Sequence, residues 1–181
     1  MSSHSGRYNL GPDNATLTVR TGRTGAAAKA GHNLEIRVAA WSAQLELDED
    51  PAAVSLSLEV DSRSLKVLAG SGGMQALGDE DKANIETTIN DEVFKAREIA
   101  FHSTSVHDDG SGGLHVHGEL NLLGRTGPVE FTLAIAEDGH LSGSAEVVQT
   151  AFGIKPYSAL FGTLKLTDEV KIEFDGRLPS Q

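Results

Sequence analysis

Val54-Ser55-Leu56-Ser57-Leu58-Glu59-Val60 decides the fold, because apolar and polar residues alternate along it. That is the period at which an extended strand sends side chains to opposite faces of a sheet. The same alternation returns in Ala15, Leu17 and Val19; in Leu34, Ile36 and Val38; in Leu114, Val116, Leu120 and Leu122; in Val129, Phe131, Leu133 and Ile135; in Ala145 and Val147; and in Val170, Ile172 and Phe174. With Ile99 to Val106 these make about eight strands, a number suited to closure. Between Val38 and Trp41 the apolar parity switches, since Trp41, Ala43, Leu45 and Leu47 carry it onward. An extra residue at Ala39-Ala40 would do this as a β-bulge, the bend that a barrel corner needs. The stretch from Gly78 to Asn90 reads as the one helix, with acids in its first turn and Ile85 and Ile89 on one stripe. The predicted fold is all-β: an eight-stranded antiparallel barrel with one short helix covering it.

The totals bound what such a barrel does. A chain of 181 residues supports one domain, expected over residues 7–178, with residues 1–6 a disordered tail. Fifteen basic against 26 acidic residues leave a formal net charge of −11, which disfavours nucleic acid and anionic lipid surfaces. There is no cysteine, so disulfides, thiolate metal sites and thiol nucleophiles are excluded. The first residues show no basic stretch followed by an apolar run, and no segment reaches about 18 consecutive apolar residues. A soluble cytoplasmic protein without stable membrane insertion is the expectation.

Turns predict register. If Gly124 to Pro128 closes a hairpin, Leu120 stands opposite Phe131 and Gly118 opposite Leu133; if Ala136 to His140 closes the next, Leu133 faces Gly143. Large residues beside glycines on one apolar face are the pattern of a shaped interior, although the same glycines would also relieve crowding in a curved sheet. The candidate ligand-facing residues on the strands are therefore Leu56, Leu58, Phe101, Val116, Gly118, Leu120, Phe131, Leu133 and Gly143. The segment Thr150 to Gly162 breaks the strand period yet keeps large apolar residues. Folded over a barrel mouth, its Phe152, Ile154, Tyr157 and Phe161 would form a lid or wall, or else a plug with no ligand beneath it.

Polar candidates are weaker. Nucleophile-elbow, phosphate-loop, dinucleotide and zinc-protease motifs are all missing, and Asp48, Glu49 and Asp50 lie in a turn where solvated acids are usual. A non-catalytic protein without cofactor is expected. His115-x-His117 puts two imidazoles on one strand face, and a hairpin through Asp108 to Gly113 sets His102 opposite Glu119 there. This is a zinc-type donor set, but on the face opposite Leu114, Val116 and Leu120, where solvated histidines are ordinary; no metal is assigned. Arg20, Arg23 and Lys29 make a small basic island suited to a phosphate or hydroxyl head group, or simply a solvated turn.

Seven stretches carry a family resemblance: Tyr8-Asn9-Leu10-Gly11-Pro12, Gly31-His32-Asn33-Leu34-Glu35-Ile36, Val54 through Leu65, Ile99-Ala100-Phe101-His102-Ser103-Thr104, His117 through Val129, Phe152-Gly153-Ile154, and Leu166 through Phe174. In this order and spacing the chain resembles the YceI-like family over nearly its whole length. The resemblance implies a lipocalin-like eight-stranded barrel enclosing a polyisoprenoid chain, such as a prenylated quinone or its precursor. Two departures stand out. Many relatives carry a secretory leader, and the position before Phe152, often Asp in the family, is Ala151 here.

The leading reading is thus a carrier of an apolar isoprenoid lipid. Its rivals are a structural or stress-associated barrel without ligand, and an enzyme on an apolar substrate with Lys155, Tyr157 or His32 as the polar group. The sequence is compatible with a homodimer as well as with a single chain.

Overall fold

The computed structural model describes residues 4–159, 162 and 164–180. Among these, the strands are β1 (Gly6–Leu10), β2 (Ala15–Thr24), β3 (His32–Val38), β4 (Trp41–Leu47), β5 (Ser55–Val60), β6 (Leu65–Gly72), β7 (Ile99–Asp108), β8 (Gly113–Leu122), β9 (Arg125–Ile135), β10 (His140–Val148), β11 (Ser158–Ala159) and β12 (Leu164–Arg177). All pairings are antiparallel, in the order β1-β4-β5-β7-β8-β9-β10-β12-β2-β3-β6, with β11 against β12. No helix among the described residues is long and apolar enough to cross a membrane.

The hydrogen-bonded path ends at β1 and β6, yet the ring closes through the chain itself. β1 pairs with β4 while β2 pairs with β3, and β3 runs into β4 through Ala39-Ala40, the place of the parity switch, where the chain bends between the two strands without the expected extra residue: Val38 and Trp41 stand opposite Leu65 and Val60. β5 likewise pairs with β4 and β6 with β3, joined by a short 3-10 turn at Ser62–Ser64. Counted this way, β1–β2, β3–β4 and β5–β6 are three bent strands. With β7, β8, β9, β10 and β12 they make the expected eight, each beside its neighbour in sequence, and β12 against β2 completes the circle. The bends are tied together: Ala39 N–H donates to Ser64 O (2.8 Å), Asp61 N–H to Ala40 O (3.0 Å), and the Ser64 hydroxyl to Ala40 O (3.1 Å). Strands that turn the corner at one level keep their backbone groups paired there.

Three strands were not anticipated from sequence, β1, β6 and the two-residue β11. β1 is short and opens at Gly6, opposite Leu47. β6 runs through Gly70 and Ser71 to Gly72, glycine-rich residues that extend as a strand because His32, Asn33 and Leu34 supply a ladder for them. The helix α1 (Asp79–Thr88), continued by a wide π-helical turn at Ile89–Phe94, lies along the outer edge of β6. Its Glu86 carboxylate accepts from Val67 N–H (2.9 Å) and Lys66 Nζ (3.2 Å), so the helix occupies an edge that would otherwise offer unpaired N–H groups. Ile85, Ile89 and Phe94 pack against the main core.

One register expectation is corrected. The β8–β9 connection is a two-residue turn, Leu123-Gly124, with both residues at positive φ (57° and 76°). Arg125 and not Val129 therefore stands opposite Leu122; Leu120 faces Gly127, Gly118 faces Val129 and Val116 faces Phe131. The twist of such a turn matches that of the strands, and starting β9 at Arg125 adds backbone pairs that a five-residue loop would forgo. The β9–β10 expectation matches the structure: Leu133 is opposite Gly143.

Candidate ligand cavity

The inner faces of the eight strands do not fill the barrel. A cavity of about 130 Å³ remains at its middle, lined by Leu10, Leu17, Trp41, Ala43, Leu45, Leu56, Leu58, Phe101, Leu120, Val129, Phe131, Leu133, Leu141, Gly143, Ser144, Ala145, Val147, Ile172 and Phe174. Of these only Trp41 and Ser144 carry a side-chain polar atom, and Ser144 is exposed on the outer side of the wall. Such a carbon-lined space stays dry, since a water there would lack partners. Trp41 is 7% exposed, and its indole N–H is one of two buried side-chain polar atoms without a partner among the described residues, the other being Asn90 Oδ1.

Of the sequence candidates, Leu56, Leu58, Phe101, Leu120, Phe131, Leu133 and Gly143 lie around this space. Phe101 and Phe131 pack with tilted rings, centroids 5.7 Å apart. Gly118 does not border the cavity: the Phe101 ring lies over it, and a Cβ there would overlap that ring and the His102 carbonyl. Val116 is 1% exposed and packed in the main core. Phe152 and Ile154 form a second cluster with Leu122 and Val147, against Leu120, Val129 and Ile172 of the cavity wall. They plug the end of the barrel that carries α1 and the β2–β3 connection. Gly127 makes room for that plug, since a Cβ on it would stand 3.0 Å from the Phe152 ring. Tyr157 is 56% exposed and apart from the lining, and Phe161 lies outside the described residues. Sequence reasoning missed Trp41, Leu141, Ile172 and Phe174 as lining, although their inward parity was visible in the alternation.

The polar candidates disperse. Arg20 is held between Glu173 Oε2 (2.5 Å) and Glu35 Oε2 (2.8 Å), which raises its pKa, so its charge is already matched. Arg23 donates to the Gly31 carbonyl, and Lys29 is exposed in the β2–β3 connection. His32 Nε2 bonds the Gln75 carbonyl at 2.7 Å. Asp48 and Asp50 accept from the amides of Asp50 and Ala52, 3.0 and 2.9 Å, and so shape the turn before β5. On the outer wall His102 pairs with Glu119 (3.4 Å), as the hairpin predicted, but His115 and His117 turn towards Glu130 instead.

A family model described as YceI-like domain matches residues 8–178. No curated protein shows a significant match. Among solved structures, Burkholderia cenocepacia BcnA is similar with a TM-score of 0.66 at 19% identity, covering 89% of this chain and 94% of that one. A domain from Saccharophagus degradans, described as polyisoprenoid binding and implicated in plant cell wall breakdown, gives 0.57 at 10% identity over 97% and 100%. The Campylobacter jejuni YCEI protein gives 0.56 at 13% over 81% and 84%. At these identities the likeness is one of fold.

Proposed function

We propose, from the premise that this chain belongs to the YceI-like domain family, that its barrel carries the apolar tail of an isoprenoid-type lipid and performs no chemistry on it. The observation that carries the reading is the closed barrel around a carbon-lined cavity; the polyisoprenoid-binding description of the Saccharophagus domain supports it.

Magnitudes narrow the ligand. An engineered cavity of about 150 Å³ lined by Leu, Ile and Phe takes a molecule the size of benzene, so 130 Å³ holds about one five-carbon prenyl unit. Burial is worth about 0.8 kcal/mol per CH₂, so one such unit contributes roughly 3 to 4 kcal/mol, against about 4 to 15 kcal/mol lost on association. One unit does not bind stably. A ligand of several units does, and to fit it must displace the Phe152–Ile154 plug and extend towards the helix end. An oxygen on that ligand, a quinone carbonyl or a hydroxyl, would accept from the unpaired Trp41 N–H. Among the described lining residues only Trp41 and the outward-facing Ser144 carry a polar side-chain atom, which is why transport or storage and not conversion is proposed.

The test is direct. Protein purified without detergent is extracted with organic solvent and the extract analysed by mass spectrometry, and delipidated protein is titrated with a prenylated quinone. Prenyl lipid in near-stoichiometric amount and saturable binding are expected. Empty extracts together with no binding would leave a self-filled structural barrel as the better reading.

A further inference from the structure

On the outer wall, independent of the cavity, we propose that His107, His115, His117 and Glu130 form a binding site for one divalent transition-metal ion of the zinc class. β8 presents His115 and His117 two residues apart on one face. The ladder sets Glu130 of β9 directly opposite His117, and His107 of β7 directly opposite His115. Three adjacent strands thus converge their donors.

The distances suit a small ion. Glu130 Oε2 lies 3.2 Å from His117 Nδ1 and 3.8 Å from His115 Nε2, and the three donor atoms lie within 4.8 Å of one another. Around a tetrahedral ion with bonds of about 2.0 to 2.1 Å, donors stand roughly 3.3 to 3.5 Å apart, so modest side-chain rotations bring them to one centre. The His115 and His117 rings pack edge to face with centroids 4.5 Å apart, and the His107 ring lies 5.9 Å from His117. His107 supplies the fourth ligand by rotation, or water does. Two or three imidazoles with one carboxylate suit Zn, Ni or Cu rather than Mg or Ca, and a net charge of −11 favours any cation. His102 and Glu119 form their own pair and stay outside the cluster. The ion would tie β7, β8 and β9 together behind Val116 and Phe131, bracing the wall from outside.

Untagged protein, stripped with chelator, is titrated with zinc chloride by calorimetry and with cobalt chloride by visible absorption. One ion per chain is expected, with tetrahedral cobalt bands and imidazole resonance shifts confined to His107, His115 and His117. His117→Ala and Glu130→Gln weaken zinc by at least about tenfold, whereas His102→Ala leaves it unchanged. Should His117→Ala fail to fold, His115→Asn serves, since that half-buried side chain supplies another donor of the same cluster. Absence of stoichiometric zinc, or zinc that survives these changes, or equal loss with His102→Ala, overturns the site.

Discussion

Trp41 and Phe174 meet edge to face inside the barrel, ring centroids 6.0 Å apart and planes at 75°, and both line the cavity. Trp41 is also the only tryptophan of the chain, so its fluorescence reports the cavity directly. A prenylated quinone should quench it saturably. Trp41→Phe should weaken an oxygen-bearing isoprenoid about three- to tenfold, the worth of one neutral hydrogen bond, and leave a bare hydrocarbon of the same length unaffected. Calorimetric titration of both ligands checks this; equal loss for the two would show that ring volume, not the N–H, matters.

Gly118 and Gly143 part company. Gly118→Ala forces the Phe101 ring and the His102 carbonyl away and should cost about 1 to 3 kcal/mol of stability by overpacking. At Gly143 a Cβ meets Thr132 O at 3.0 Å and the Phe131 ring at 3.8 Å, and the residue borders the cavity. Gly143→Ala should therefore cost less in folding and more in binding. Urea unfolding and ligand titration on both variants separate the two effects.

Glu86 fastens α1 to the edge of β6. Glu86→Ala leaves Val67 N–H without its acceptor, and a loss of about 1 to 2 kcal/mol is expected, a fall in Tm of roughly 2 to 8 °C for a domain of this size. Hydrogen exchange at Val67 should accelerate out of proportion to the global change.

Stability should decline on the acid side. Arg20, and after it Lys171, donate to the Glu173 carboxylate and hold its pKa below the ordinary value. Amides and the hydroxyl of Ser111 do the same for Asp109, and the His140 amide with Arg177 for Asp138. A depressed folded pKa contributes stability above the unfolded value, near 4 for these carboxyls, and loses it as pH falls through the folded value. Unfolding free energy should drop as pH is lowered from about 5 towards 2. Glu173→Gln should flatten part of that slope, and a slope unchanged in the variant would remove Glu173 from the account.

The zinc-type donor set shows how far sequence reading reaches. His115-x-His117 on one face, and His102 opposite Glu119, were legible, because alternation and a glycine-rich hairpin are local. Glu130 was not. A hairpin closed through Gly124 to Pro128, with Leu122 opposite Val129, places Glu130 opposite Asn121, and only the two-residue Leu123-Gly124 turn brings it to His117. His107 reaches His115 because a bulge between Ser103 and Ser105 shifts the β7–β8 ladder by one residue. The switch from inward Phe101 to inward Val106 was the available signal for that shift.

What the amino-acid order alone determined is which side of the wall each residue faces: the period-two alternation is a property of neighbouring residues and holds whatever the strand pairs with. Hence the all-β class, the bend at Ala39-Ala40 and seven of the cavity-lining residues were readable. Register, the size of the cavity, the burial of Phe152 and Ile154 as a plug and the unpaired Trp41 N–H were decided only in three dimensions. They depend on how side chains from strands as distant as β1 and β12 share one interior, and packing of that kind is a sum over partners that no local pattern encodes.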